Sequence, residues 1–119
     1  MIKEDYISFE IAKLLKEKGF DGECNSYYDE FGLVCPTIEP KFANLEHYKR
    51  YSLNITMKWL REVHNLHIDV DPSEGDWNPT VLELENWTCA VKFGDDIQIQ
   101  DSYEEAAEAA IKYCLENLI

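Results

Sequence analysis

His64 and His67 stand three residues apart, with His47 upstream. On one helix that spacing would put two imidazoles on the same face, as a metal site or proton relay requires. Asn65 favours the left-handed closing conformation, so the helix is expected to stop there. The two histidines then project from different elements. His64 also sits at the edge of an apolar helical arc. A half-buried histidine bonded to backbone is favoured over a metal ligand, and His64 and His67 stay as weak ligand candidates.

The run Asp69-Val70-Asp71-Pro72-Ser73-Glu74-Gly75-Asp76 has the outline of a calcium loop. Its glycine comes one residue late, its twelfth position is Thr80 rather than a bidentate Glu, and Pro72 stiffens it. Calcium is not expected. Asp69, Asp71, Glu83 and Glu85 fall on the polar side of alternating strands. Carboxylate pairs do acid–base work in a desolvated cleft, and an open sheet face does not supply one. Cys24, Cys35, Cys89 and Cys114 lack the close spacing of a zinc site and are expected to be reduced. Cys89 and Cys114 read as core. There is no nucleophile elbow, P-loop or dinucleotide fingerprint. No catalytic residue, metal or cofactor is therefore expected, and the chain reads as a non-enzyme.

These residues must be held by elements, and the elements follow from periodicity. A first helix is expected from about Ser8 to Lys18, with Ile7, Ile11, Leu14 and Leu15 at helical spacing. Ser8 or Asp5 caps it and Gly19 ends it. Residues 21–51 are less regular, and their aromatic residues Tyr27, Tyr28, Phe31, Phe42, Tyr48 and Tyr51 either wrap the core, the favoured reading, or present a contact surface. Glu23–Tyr28 and Leu33–Cys35 could pair as a hairpin around Asp29–Gly32, and Pro36 and Pro40 argue for loop. A second helix runs from about Leu53 to His64. Leu53, Met57, Trp59, Leu60 and Val63 form its apolar arc, with Ile55 at the edge.

Strand alternation follows. Leu66, Ile68 and Val70 oppose His67, Asp69 and Asp71, and Pro72–Pro79 reads as a polar loop. Leu82 and Leu84 alternate with Glu83 and Glu85. Trp87, Cys89, Val91 and Phe93 alternate with Thr88, Ala90 and Lys92. Gly94-Asp95-Asp96 reads as a hairpin turn before Ile97 and Ile99. A last helix opens with a Ser102–Glu105 capping box and lines Tyr103, Ala107, Ala110, Ile111, Cys114 and Leu118 on one face. The expectation is one α+β domain over residues 1–119. It is a two-layer sandwich, an antiparallel sheet of three to five strands with helices packed on one face.

The chain has 119 residues, 45% of them hydrophobic, and a formal net charge of −13. Residues 69–108 hold twelve acids and one base, Lys92, while the rest is nearly balanced. Such a field repels phosphate backbones, so direct nucleic-acid binding is disfavoured. From the second helix on, the element order is that of a double-stranded-RNA-binding domain. That fold reads phosphates with lysines at the start of its last helix, where this chain has Tyr103, Glu104 and Glu105. No apolar run approaches a membrane span, and the first residues do not resemble a signal peptide, so a soluble cytoplasmic protein is expected.

The stretches Phe9–Phe20 and Lys58–Asn65, with Tyr103–Ala106 and Tyr113–Ile119 of the last helix, resemble a small uncharacterised family of gut Bacteroidales proteins and of their phages and mobile elements. The resemblance implies a bacterial or phage origin and brings no catalytic residue.

Two classes of function follow. The favoured one is an accessory or protein-interaction protein, with a contact through Tyr27, Tyr28, Tyr48 and Tyr51 or through Glu83, Glu85, Glu104 and Glu105. The acidic stretch reads first as a solvated face that aids solubility; in a sharper form of the interaction reading it mimics DNA and occupies a basic nucleic-acid-binding partner. The alternative is a small-ligand-binding protein or hydrolase with a site near His64 and His67. Monomer and homodimer are both open.

Overall fold

The computed structural model describes residues 3–91 and 100–119. The chain divides into two compact units, Met1–Ser52 and Leu53–Ile119. Among the described residues there are three α-helices and two antiparallel three-stranded sheets, an α+β fold. The expected single sheet is therefore two smaller ones, because the segment 21–51 forms its own. No helix among the described residues is long and apolar enough to cross a membrane.

The first unit opens with α1 (Phe9–Glu17). The Ser8 hydroxyl accepts from the Ile11 N–H at 3.3 Å, which satisfies a free donor of the first turn. Gly19 closes the helix at φ 87, and the Phe20 N–H reaches back to the Leu15 carbonyl. Ile7, Ile11, Ala12 and Leu15 are buried. The sheet beside it consists of β1 (Tyr27–Tyr28), β2 (Val34–Cys35) and β3 (Tyr48–Lys49), in the order β2-β1-β3. A 3-10 turn, Pro40–Phe42, lies between β2 and β3.

The second unit begins with α2 (Leu53–His64). Its buried line is Leu53, Thr56 and Leu60, spaced three and four apart. That line is rotated from the expected arc: Val63 is 58% exposed and Ile55 46%. Asn65 then takes φ 57 and the chain reverses into β4 (Leu66–Ser73).

The expected polar loop Pro72–Pro79 is instead the end of a long hairpin. β4 and β5 (Asp76–Glu83) pair without a break from Leu66↔Glu83 to Ser73↔Asp76. Glu74 and Gly75 make the two-residue turn, at φ 50 and 91. Both central residues of such a turn need positive φ, which glycine adopts without a steric penalty. Pro79 is tolerated inside β5 for a geometric reason. Trp77 exchanges both backbone bonds with Gln100, on the side away from β4. Two residues on, the Pro79 nitrogen faces that same side, so its missing N–H removes no bond to β4.

Pro79 and Val81 are the buried positions of β5. They stand opposite Val70 and Ile68, one residue out of step with the expected Leu82 and Leu84. β6 (Thr88–Val91) pairs with β5, and the register shifts between Val81 and Leu82. Trp87 and Cys89, expected inside, are exposed. Trp87 lies in the turn before β6 at φ 57 and is 81% exposed. The expected turn at 94–96 and the strand positions 92, 93, 97 and 99 lie outside the described residues.

Finally, α3 (Tyr103–Tyr113) passes into a π-helical turn, Cys114–Leu118. The Ser102 hydroxyl accepts from the Glu105 N–H at 3.2 Å, as the capping box requires. Ala106, Ala107, Ala110, Ile111, Cys114 and Leu115 are buried, while Tyr103 and Leu118 lie at the rim. The small alanines let α3 pack on β4 and β5, and α2 packs on β4 and α3. This unit is a two-layer sandwich with both helices on one sheet face.

Candidate functional site

The hairpin β1–β2 is built around Asp29. Its carboxylate accepts from the N–H groups of Phe31 at 2.8 Å and Leu33 at 2.9 Å. The Asp29 N–H donates to the Leu33 carbonyl, and Gly32 closes the turn onto the Asp29 carbonyl. Such side-chain turns pre-set the loop before any partner arrives. The result displays apolar side chains: Phe31 is 79% exposed, Leu33 65% and Val34 54%.

β2 is an edge strand. The Leu33 carbonyl accepts from the Asp29 N–H and so faces the β1 side, which leaves the next residue, Val34, with its N–H and C=O turned outward. An open edge flanked by exposed apolar side chains is a template for another strand. Exposed acids, Glu30 and Glu39, lie nearby in sequence.

The tyrosines named from sequence wrap the first unit's core and do not form an exposed contact. Tyr28 is buried and its hydroxyl donates to the Ile7 carbonyl. Tyr51 is buried, stacks on Phe20 at 4.3 Å and accepts from the Gly22 N–H. Tyr48 packs its ring against Phe9 at 5.5 Å. Tyr27 is half-buried and lines a cavity of about 260 Å³ with Phe20, Tyr51, Lys16, His47 and Lys49. These four line the first unit's interior. The cations at that cavity are already engaged. Lys16 pairs with Glu46 at 2.5 Å, and Lys49 with Asp21 at 2.6 Å. The hydrogen bond to Asp21 holds the Lys49 ammonium above its ordinary pKa and Asp21 below its own.

The acids named from sequence are dispersed. Glu83 ends β5, and its carboxylate accepts from the N–H groups of Glu85 and Asn86, capping the turn 84–87. Glu85 is exposed in that turn. Glu104 and Glu105 are exposed in the first turn of α3, where the helix dipole favours them.

His64 and His67 do project from different elements. His64 ends α2 with its ring edge-on to Trp59 at 4.7 Å. His67 stands on β4 and lines a second cavity, of about 420 Å³, with Lys58, Arg61 and Tyr103. His47 meets the Leu45 carbonyl through Nδ1. Among the described residues no three His, Cys, Asp or Glu gather as a metal site would need.

Sequence reasoning placed Phe31 in the aromatic stretch without choosing it as a contact, and missed Leu33 and Val34. The readable signal was the sequence Asp29-Glu-Phe-Gly32, a turn whose one large apolar residue has no helical or strand partner at fixed spacing. No family model, curated protein or solved structure matches the chain.

Proposed function

We propose that this chain is a non-enzymatic protein-interaction protein that takes up an extended segment of a basic partner protein along β2. One observation carries the reading: the outward-facing backbone of Val34, framed by the exposed side chains of Phe31, Leu33 and Val34. Backbone pairing supplies affinity in strand addition, and alternate side chains supply specificity. Glu30 and Glu39, exposed and close in sequence to β2, favour a partner segment that mixes Lys or Arg with apolar residues. Asp29 holds the turn in place beforehand, which lowers the ordering cost of binding.

The test is selection of binders from a displayed library of random linear peptides, followed by affinity measurement on purified chain. Binders should carry net positive charge and alternate apolar residues. Val34→Pro removes the outward N–H without touching the pairing to β1, and Phe31→Ser removes the largest exposed ring. Each should weaken selected binders by roughly tenfold or more. Binders indifferent to both substitutions, or an empty selection, would defeat the proposal.

A further inference from the structure

A second site lies in the other unit and stands independently of the β2 edge. Leu53–Ile119 hold fourteen Asp and Glu against four Lys and Arg. Two of those four, Lys58 and Arg61, line one cavity together with His67, and no carboxylate residue lines it. In a segment this acidic, three basic side chains around a carboxylate-free space is the opposite of the local composition.

The arrangement has a physical cost. Lys58 and Arg61 are three apart on α2, a spacing at which like charges repel. In the other unit three lysines, Lys16, Lys41 and Lys49, each meet a carboxylate. Neither Lys58 nor Arg61 has such a partner among the described residues. A bound anion would remove the repulsion.

The remaining walls select what the anion is attached to. Met57, Ile68 and Tyr103 supply apolar surface. The Tyr103 ring stands edge-on to Trp77 at 5.7 Å and 90°. The cavity, about 420 Å³, is of the size that takes a small organic molecule. Two permanent cations and an imidazole match a doubly charged group better than a single carboxylate, and guanidinium binds phosphate oxygens in a fork.

We propose that the cavity between α2 and β4 binds a phosphate monoester carried on a small apolar or aromatic group. The ligand is a small molecule and not a polymer. Beyond the cavity the unit is strongly acidic, and that field repels a polyanion while the local cations hold one phosphate.

Phenyl phosphate is the probe, titrated into the whole chain and followed by amide chemical shifts. Saturable shifts should centre on residues 54–61 and on His67 and Tyr103. Inorganic phosphate and benzoate should each bind more weakly. Arg61→Gln, whose side chain is not in the buried core, should weaken binding roughly tenfold while the thermal melt is unchanged. Four results would each overturn the proposal. These are no saturable shift in the millimolar range, equal binding to Lys58→Gln/Arg61→Gln, benzoate binding as tightly as phenyl phosphate, and a single-stranded oligonucleotide binding more tightly than either.

Discussion

Gly32 lies against the Phe9 ring: a Cβ added at Gly32 would stand 2.9 Å from Phe9 Cδ2. The β1–β2 turn is thus seated on α1, and the exposed Phe31–Val34 edge takes its position from the first unit's core. Gly32 also has φ +84, where a side chain is strained. Gly32→Ala should cost about 1–2 kcal/mol from backbone strain alone, with more from the ring contact. Urea denaturation monitored by fluorescence should show that loss. A variant as stable as the parent would mean the turn is not seated on Phe9.

Tyr28 ties the same sheet to the chain before α1, through its hydroxyl and the Ile7 carbonyl. The ring stays packed in Tyr28→Phe, but the carbonyl loses its donor. An unpaired buried acceptor costs about 1–3 kcal/mol, so a destabilisation in that range is expected. If Tyr28 instead served as a contact residue, Tyr28→Phe would leave stability unchanged and weaken peptide binding.

The face of α2 can be tested by a pair of substitutions. Leu60 is fully buried, and Leu60→Ala should cost about 2–5 kcal/mol through lost burial and a cavity. Val63 is more than half exposed, and Val63→Ala should stay within about 0.5 kcal/mol. The sequence-based arc places both residues on the core side and expects both to be costly. Equal losses would restore that arc.

Helix ends were readable because caps are local. Ser8, Gly19, Asn65 and Ser102 each set a boundary from within a few residues, and each occupies the expected place. The β4–β5 hairpin was not readable, because Pro72 and Pro79 both look like strand breakers. What admits Pro79 is the side its nitrogen faces, and that depends on Gln100, some twenty residues away. The candidate sites were harder still. Which of Tyr28 and Phe31 turns inward depends on Phe9 and Gly32 meeting across the first unit. Lys58, Arg61 and His67 converge only because Asn65 reverses the chain and α3 brings Tyr103 alongside.

Alkaline pH should expose a liability centred on Cys114. Burial pushes its thiol from an ordinary value of 9.0 up to about 12. The neutral thiol suits the apolar helix–sheet layer, and the thiolate does not. In the unfolded chain the thiol ionises near its ordinary value, so unfolding releases a proton between about pH 9 and 12. The stabilisation is complete below pH 9 and falls as pH rises, at up to about 1.4 kcal/mol per pH unit. Two other groups lean the same way. Burial raises the Tyr51 phenol, and the hydrogen bond to Asp21 raises the Lys49 ammonium, so each loses its contribution as pH climbs through the folded value. Cys114→Ala removes the largest of these steps while leaving a small apolar side chain in place. Urea midpoints measured from pH 8 to 11 should fall less steeply for Cys114→Ala than for the parent. Parallel slopes would mean that the Cys114 thiolate is solvated in the folded protein, and the buried seam of α3 would have to be redrawn.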